Sequence, residues 1–92
     1  MADPYVGAEL KALEELSKDF HKKAGDLGAL IKFLQNRTTG SRDFWKGPGA
    51  DHFREEWANI KPSFDKFVET LTAAGKSAKT SHDNIQRATA RP

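Results

Sequence analysis

Ninety-two residues make one domain, and a 10.2 kDa chain buries only a modest core, which leaves room for stabilisation by self-association. Its 37% hydrophobic and 30% charged content suits solvated helices, and the absence of Cys excludes a disulfide framework and any Cys-ligated metal. A net charge of +2 is too small to nominate nucleic acid, and no stretch approaches the roughly 18 apolar residues needed to span a bilayer.

Met1-Ala2-Asp3-Pro4-Tyr5 carries no basic and then apolar run, so no cleaved secretory leader is expected here. Asp3 as N-cap and Pro4 at N1 open a first helix over about 4–37. Along it Val6, Leu10, Leu13, Ser17, Phe20, Ala24, Leu27, Ile31 and Leu34 alternate in spacings of four and three, and only Ser17 is not apolar. Thr38-Thr39-Gly40-Ser41 reads as a breaker, so a turn is expected over 38–46. Gly47-Pro48-Gly49 starts a second helix over about 47–88, because Pro is tolerated in a first turn. Its seam reads Ala50, Phe53, Trp57, Ile60, Phe64, Phe67, Leu71, Ala74, Ala78, Ser81, Ile85 and Ala88. Eleven of those twelve are apolar, where chance at this composition would supply about four. Pro62 removes one helical hydrogen bond and predicts a kink over 58–62.

Two runs with a 3.5-residue period predict an all-α, antiparallel two-helix hairpin occupying the single domain 1–92. Folding it about residue 42 makes facing residue numbers add to about 84, so Ser17 meets Phe67, Leu13 meets Leu71 and Phe20 meets Phe64. The second helix then overhangs beyond residue 80. Its last segment, 71–92, carries Lys76, Lys79, Arg87 and Arg91 against Asp83, a basic tail on a chain whose first 70 residues sum to −1. Leu16, Leu30, Phe33 and Val68 lie off the seam, as do Phe44 and Trp45 at the turn. They define a second contact face, which in long hairpins commonly means a four-helix bundle formed by two chains.

Trp45-Lys46-Gly47 stands between the two apolar runs, with Gly49 four residues after the Trp, Phe53 eight after it, and Trp57 beyond. In this placement the chain resembles the WXG family, the helical-hairpin proteins exported by bacterial type VII secretion systems. The resemblance covers nearly the whole sequence. It implies a protein that is cytoplasmic before export, then secreted as a folded dimer with itself or with a related WXG-type subunit, and that acts by protein–protein contact. It also implies that Trp45 and Gly47 belong to the export motif, read by the secretion machinery together with a Tyr-x-x-x-Asp/Glu signal in the partner's tail. Residues 81–92 contain no Tyr. The chain's one such pattern, Tyr5 to Glu9, is at the opposite end and is read as coincidence. Service as a chaperone-like subunit for the helical leader of a larger effector is the alternative within the same resemblance.

From the residues alone, Trp45 either plugs the end of the hairpin or takes part in recognition, while Gly47 answers a backbone need for positive φ. His21, His52 and His82 form no i, i+3 or i, i+4 pair with one another, and no cofactor or metal is expected. Asp51, Glu55 and Glu56 complement a helix N-terminus rather than perform acid–base chemistry. Without a nucleophile constellation or phosphate loop, an enzyme is not expected. Four basic residues in the tail, without aromatic groups for stacking, argue against nucleic-acid binding. Attachment of the second helix to a membrane surface would require its seam to open.

Overall fold

The computed structural model describes residues 4–90. α1 runs from Pro4–Gly40, a 3-10 turn follows over Ser41–Asp43, and α2 runs from Pro48–Ala90. The two helices lie antiparallel in a rod of 70 × 17 × 15 Å. This is the all-α hairpin that the two apolar runs predict. The expected N-cap Asp3 and the tail residue Arg91 lie outside the described residues.

α1 continues through Thr38, Thr39 and Gly40, three residues past its expected end, because local bonds satisfy its last turn. The Ser41 hydroxyl donates to the Thr38 carbonyl, and Gln35 Nε2 donates to Thr39 Oγ1 at 3.3 Å. Gly40 keeps ordinary helical dihedrals, φ −65° and ψ −22°. The Phe44 and Trp45 N–H groups then both bond the Ser41 carbonyl, at 3.2 and 2.7 Å, and the chain turns. Gly47 has φ +112°, the left-handed region that a side chain resists, and its carbonyl accepts the Asp51 N–H at 3.0 Å to start α2. Pro48 occupies the first helical position, where no N–H is needed. α2 is continuous through Pro62.

The register differs from the expected one. Ser17 Oγ donates to the Gly75 carbonyl at 2.9 Å, and Trp57 Nε1 donates to Gln35 Oε1 at 2.6 Å. Arg54 Nη1 donates to Ser41 Oγ at 3.1 Å, and Val68 packs on Gly28. Facing residue numbers therefore add to 92–96, not 84, because the reversal is centred near residue 47 and α1 is longer than expected. Ser17 meets Gly75 rather than Phe67. The overhang is corrected with it: His82 is buried and Ile85 half-buried, so the end of α2 lies against the start of α1.

The α2 seam is corrected as well. Ala50, Trp57, Phe64, Leu71, Ala78 and Ile85 alternate with Arg54, Lys61, Val68, Gly75 and His82, and not with Phe53, Ile60 and Phe67. Both tracks obey a 3-4 repeat, so periodicity alone does not separate them. Close approach does. Ser17, Ala24, Gly75 and Ala78 are all buried and let the backbones come within one side-chain bond of each other. Three more bulky side chains at the seam would hold the helices apart. Lys61 lays its aliphatic stem along the groove with its ammonium on Asp65 at 2.8 Å, while Arg54, only 15% exposed, places its guanidinium between the Ser41 hydroxyl and Asp51, the latter at 3.3 Å.

Candidate interaction face

Only Ala24, Ile31, Ala50 and Ala78 are buried apolar residues among those described, and no large side chain is fully buried. The apolar bulk lies outside instead. Phe33 is 59% exposed, Leu30 and Phe67 53%, and Ile60 48%. Leu16, Leu34, Phe53 and Trp45 are exposed to a lesser degree, and Phe44, at the turn, to a greater one.

These residues share one side of the hairpin. Leu16, Leu30 and Leu34 stand about 40–80° round α1 from its seam, and Phe53, Ile60 and Phe67 about 70–80° round α2 in the same rotational sense. Between antiparallel helices, equal rotations of one sense point to one side, so the two rows form a continuous face. Trp45 extends it at the turn, with its ring centroid 5.5 Å from that of Phe53. Trp57 bridges seam and face, its ring centroid 6.1 Å from that of Phe64.

Leu13, Phe20, Leu27, Ile31, Trp57, Phe64 and Leu71 lie in the seam, half-buried or buried. Phe53, Ile60 and Phe67, expected there, stand on the exposed face. Val68, expected on the contact face, is half-buried in the seam against Gly28, because one residue of helix turns it inward when Phe67 turns outward. The signal for the face was the seven-residue spacing of Phe53, Ile60 and Phe67, with Arg54 and Lys61 on the competing track disguising it.

The surface area matches this picture. The chain exposes 7061 Å², where a folded chain of its mass ordinarily exposes about 5,300 Å². Its radius of gyration is 20.5 Å, against about 12 Å for a globule of this length. A rod this thin leaves several of its large apolar residues uncovered on one side.

Charged groups form short pairs along the helices: Lys18 with Glu14 at 3.3 Å, His52 with Glu56 at 3.1 Å beside the exposed face, and Lys79 with Asp83 at 3.0 Å. Asp83 also accepts a hydrogen bond from Nδ1 of buried His82 at 3.0 Å. The bond from His82, then that from Lys79, holds the Asp83 carboxyl below its ordinary pKa. His21 packs its ring over Gly75. Among the described residues no group of three or more His, Asp or Glu could hold a metal, and no helix is long and apolar enough to cross a membrane.

A family model described as WXG100, proteins of 100 residues with WXG, matches residues 7–89. No curated protein and no solved structure gave a significant match.

Proposed function

The chain belongs to the WXG100 family, and on that premise we propose that it is a type VII secretion substrate that leaves the cell as a folded dimer and works by helix-on-helix contact. WXG100 proteins are typically secreted through type VII systems and are not enzymes. The observation that carries the finer reading is the exposed face. Leu30, Phe33, Ile60 and Phe67 would each lose about 1 kcal/mol of available burial energy if they stayed half in water, more than a small domain readily forgoes. A second helical pair on that face recovers it.

Trp45 and Gly47 support the export half of the proposal. Gly47 sets the reversal with its positive φ, and Trp45 is held on Phe53 with 42% of its surface open to a reader. Residues 81–92 hold no Tyr, so the support for export comes from the turn and not from this segment. Trp45→Ala tests the reading in a host with the matching secretion system. The expected result is unchanged helicity and mass with less protein outside the cell. Export equal to the unsubstituted chain would refute a role for Trp45 in recognition.

A further inference from the structure

On the flank opposite the apolar face we propose an anion site: a hollow between the end of α1, the 3-10 turn and the start of α2 that takes a phosphate group, free or ester-borne.

Charge is the first reason. The hollow is about 90 Å³ and is lined by Arg42 from the turn and Arg54 from α2, with Gln35, Thr38 and Thr39 from α1 and the Trp57 ring. Two guanidinium groups thus share one small cavity. Among the described residues, only Asp51 stands within ion-pair distance of either of them, on Arg54 at 3.3 Å. Like charges held together raise each other's energy, and an entering anion relieves the net positive charge left over. The Arg54 side chain is only 15% exposed, so its charge is poorly hydrated and a counter-ion gains more there than in open water.

The second reason is that the donors are already held. Buried Ser41 accepts a hydrogen bond from Arg54 Nη1 at 3.1 Å while it donates its own proton to the Thr38 carbonyl. Arg54 Nη2 donates to Asp51 at 3.3 Å. These bonds fix the guanidinium fork and leave its remaining N–H groups for a further acceptor. On the α1 side, Gln35 Oε1 accepts the Trp57 indole N–H at 2.6 Å, and Gln35 Nε2 donates to Thr39 Oγ1 at 3.3 Å. Gln35 thereby occupies the acceptor side of the Thr39 hydroxyl, whose proton is left to donate. Groups fixed in advance lose little entropy when a ligand arrives.

Geometry selects the ligand. The donors come from three segments, Thr39 on α1, Arg42 in the turn and Arg54 on α2, and not from one fork. A tetrahedral phosphate accepts from several sides at once, whereas a planar carboxylate is best met edge-on by a single guanidinium. A water molecule occupies about 30 Å³ in the liquid, so the hollow has room for a group of about three such volumes. The remainder of an ester would stay in solvent. Arg54 and Ala58 lie about 40–80° round α2 in the opposite sense to Phe53 and Ile60, and Gln35 and Thr39 lie likewise round α1 from Leu30 and Leu34. A helical partner on the apolar face leaves the hollow open, so the site stands or falls separately from the export and pairing proposed above.

The test is a titration of the full, nitrogen-15-labelled chain with inorganic phosphate, followed by nuclear magnetic resonance at constant ionic strength. The chain has two Trp residues, and Trp45, packed on Phe53, serves as internal reference. The Trp57 indole signal and the amides of residues 38–42 are expected to move saturably over a millimolar range while the Trp45 indole stays in place. Arg42→Gln, at an exposed position, is expected to weaken binding by about tenfold or more, and Arg54→Gln likewise. Lys66→Gln removes one exposed charge elsewhere and is expected to change nothing. If Arg54→Gln fails to fold, Arg42→Gln still decides. Glycerol phosphate titrated in parallel identifies the source: tighter binding assigns an ester-borne group, equal or weaker binding assigns free phosphate. Shifts that grow without saturating would overturn the proposal, as would the same titration curve in Arg42→Gln, or acetate binding as tightly as phosphate.

Discussion

Gly75→Ala sets two effects of similar size against each other, and the structure decides between them. Replacing Gly by Ala within a helix stabilises by about 0.8–1 kcal/mol. The new methyl would sit 3.0–3.1 Å from three atoms of the His21 ring, tighter than ordinary van der Waals contact, so the ring must give by a few tenths of an ångström. That ring is on an exposed residue and can swing aside, surrendering its contact with the helix at a cost of about 0.5 kcal/mol. Gly75→Ala alone should therefore stabilise by only about 0.3–0.5 kcal/mol, and the same change in a His21→Ala background by about 1 kcal/mol. Gly75→Leu cannot escape in this way, because Ser17 Oγ is already 2.9 Å from the Gly75 carbonyl, and should destabilise by about 2 kcal/mol or more. Urea unfolding followed by far-ultraviolet circular dichroism at one protein concentration resolves these values, since 1 kcal/mol moves the midpoint by about 0.5–1 M. If Gly75→Ala destabilised by more than about 1 kcal/mol with His21 removed, the limiting contact would be backbone on backbone, and this account of the closest approach would be refuted.

Phe64→Ala should destabilise by about 2 kcal/mol, less than the 3–5 kcal/mol of a fully buried ring, because Phe64 is half-buried beside Trp57; an unchanged urea midpoint would remove it from the seam. Gly47→Ala should cost about 1–2 kcal/mol at a φ of +112°, whereas Gly49→Ala, with helical φ, should be neutral or stabilising under the same assay. The depressed Asp83 pKa predicts a contribution present above the unfolded carboxyl value of about 3.9 and lost as pH falls through the lower folded value. An acid titration by circular dichroism should show that increment vanish below pH about 4 in the unsubstituted chain and be absent in Asp83→Asn.

The sequence by itself determined that there are two long helices, that a break between residues 38 and 47 separates them, and that the reversal needs a residue at positive φ. Each of these is a property of a single segment: apolar spacing along one helix, or the lack of a Cβ at Gly47. The α1 seam from Val6 to Ile31 was also legible, because only one of its tracks is apolar. Three things required both helices at once. The end of α1 moved from about residue 37 to Gly40 because the Ser41 hydroxyl satisfies the Thr38 carbonyl, and with it the facing register shifted from 84 to 92–96. That register puts Gly75 opposite Ser17, and the close approach there selects Val68 and even Lys61 for the seam over Phe67 and Ile60. Hydrophobicity favours burying the aromatic track, but sterics between two backbones decide which burial the hairpin can use. Phe53, Ile60 and Phe67 are thereby left on an outer face.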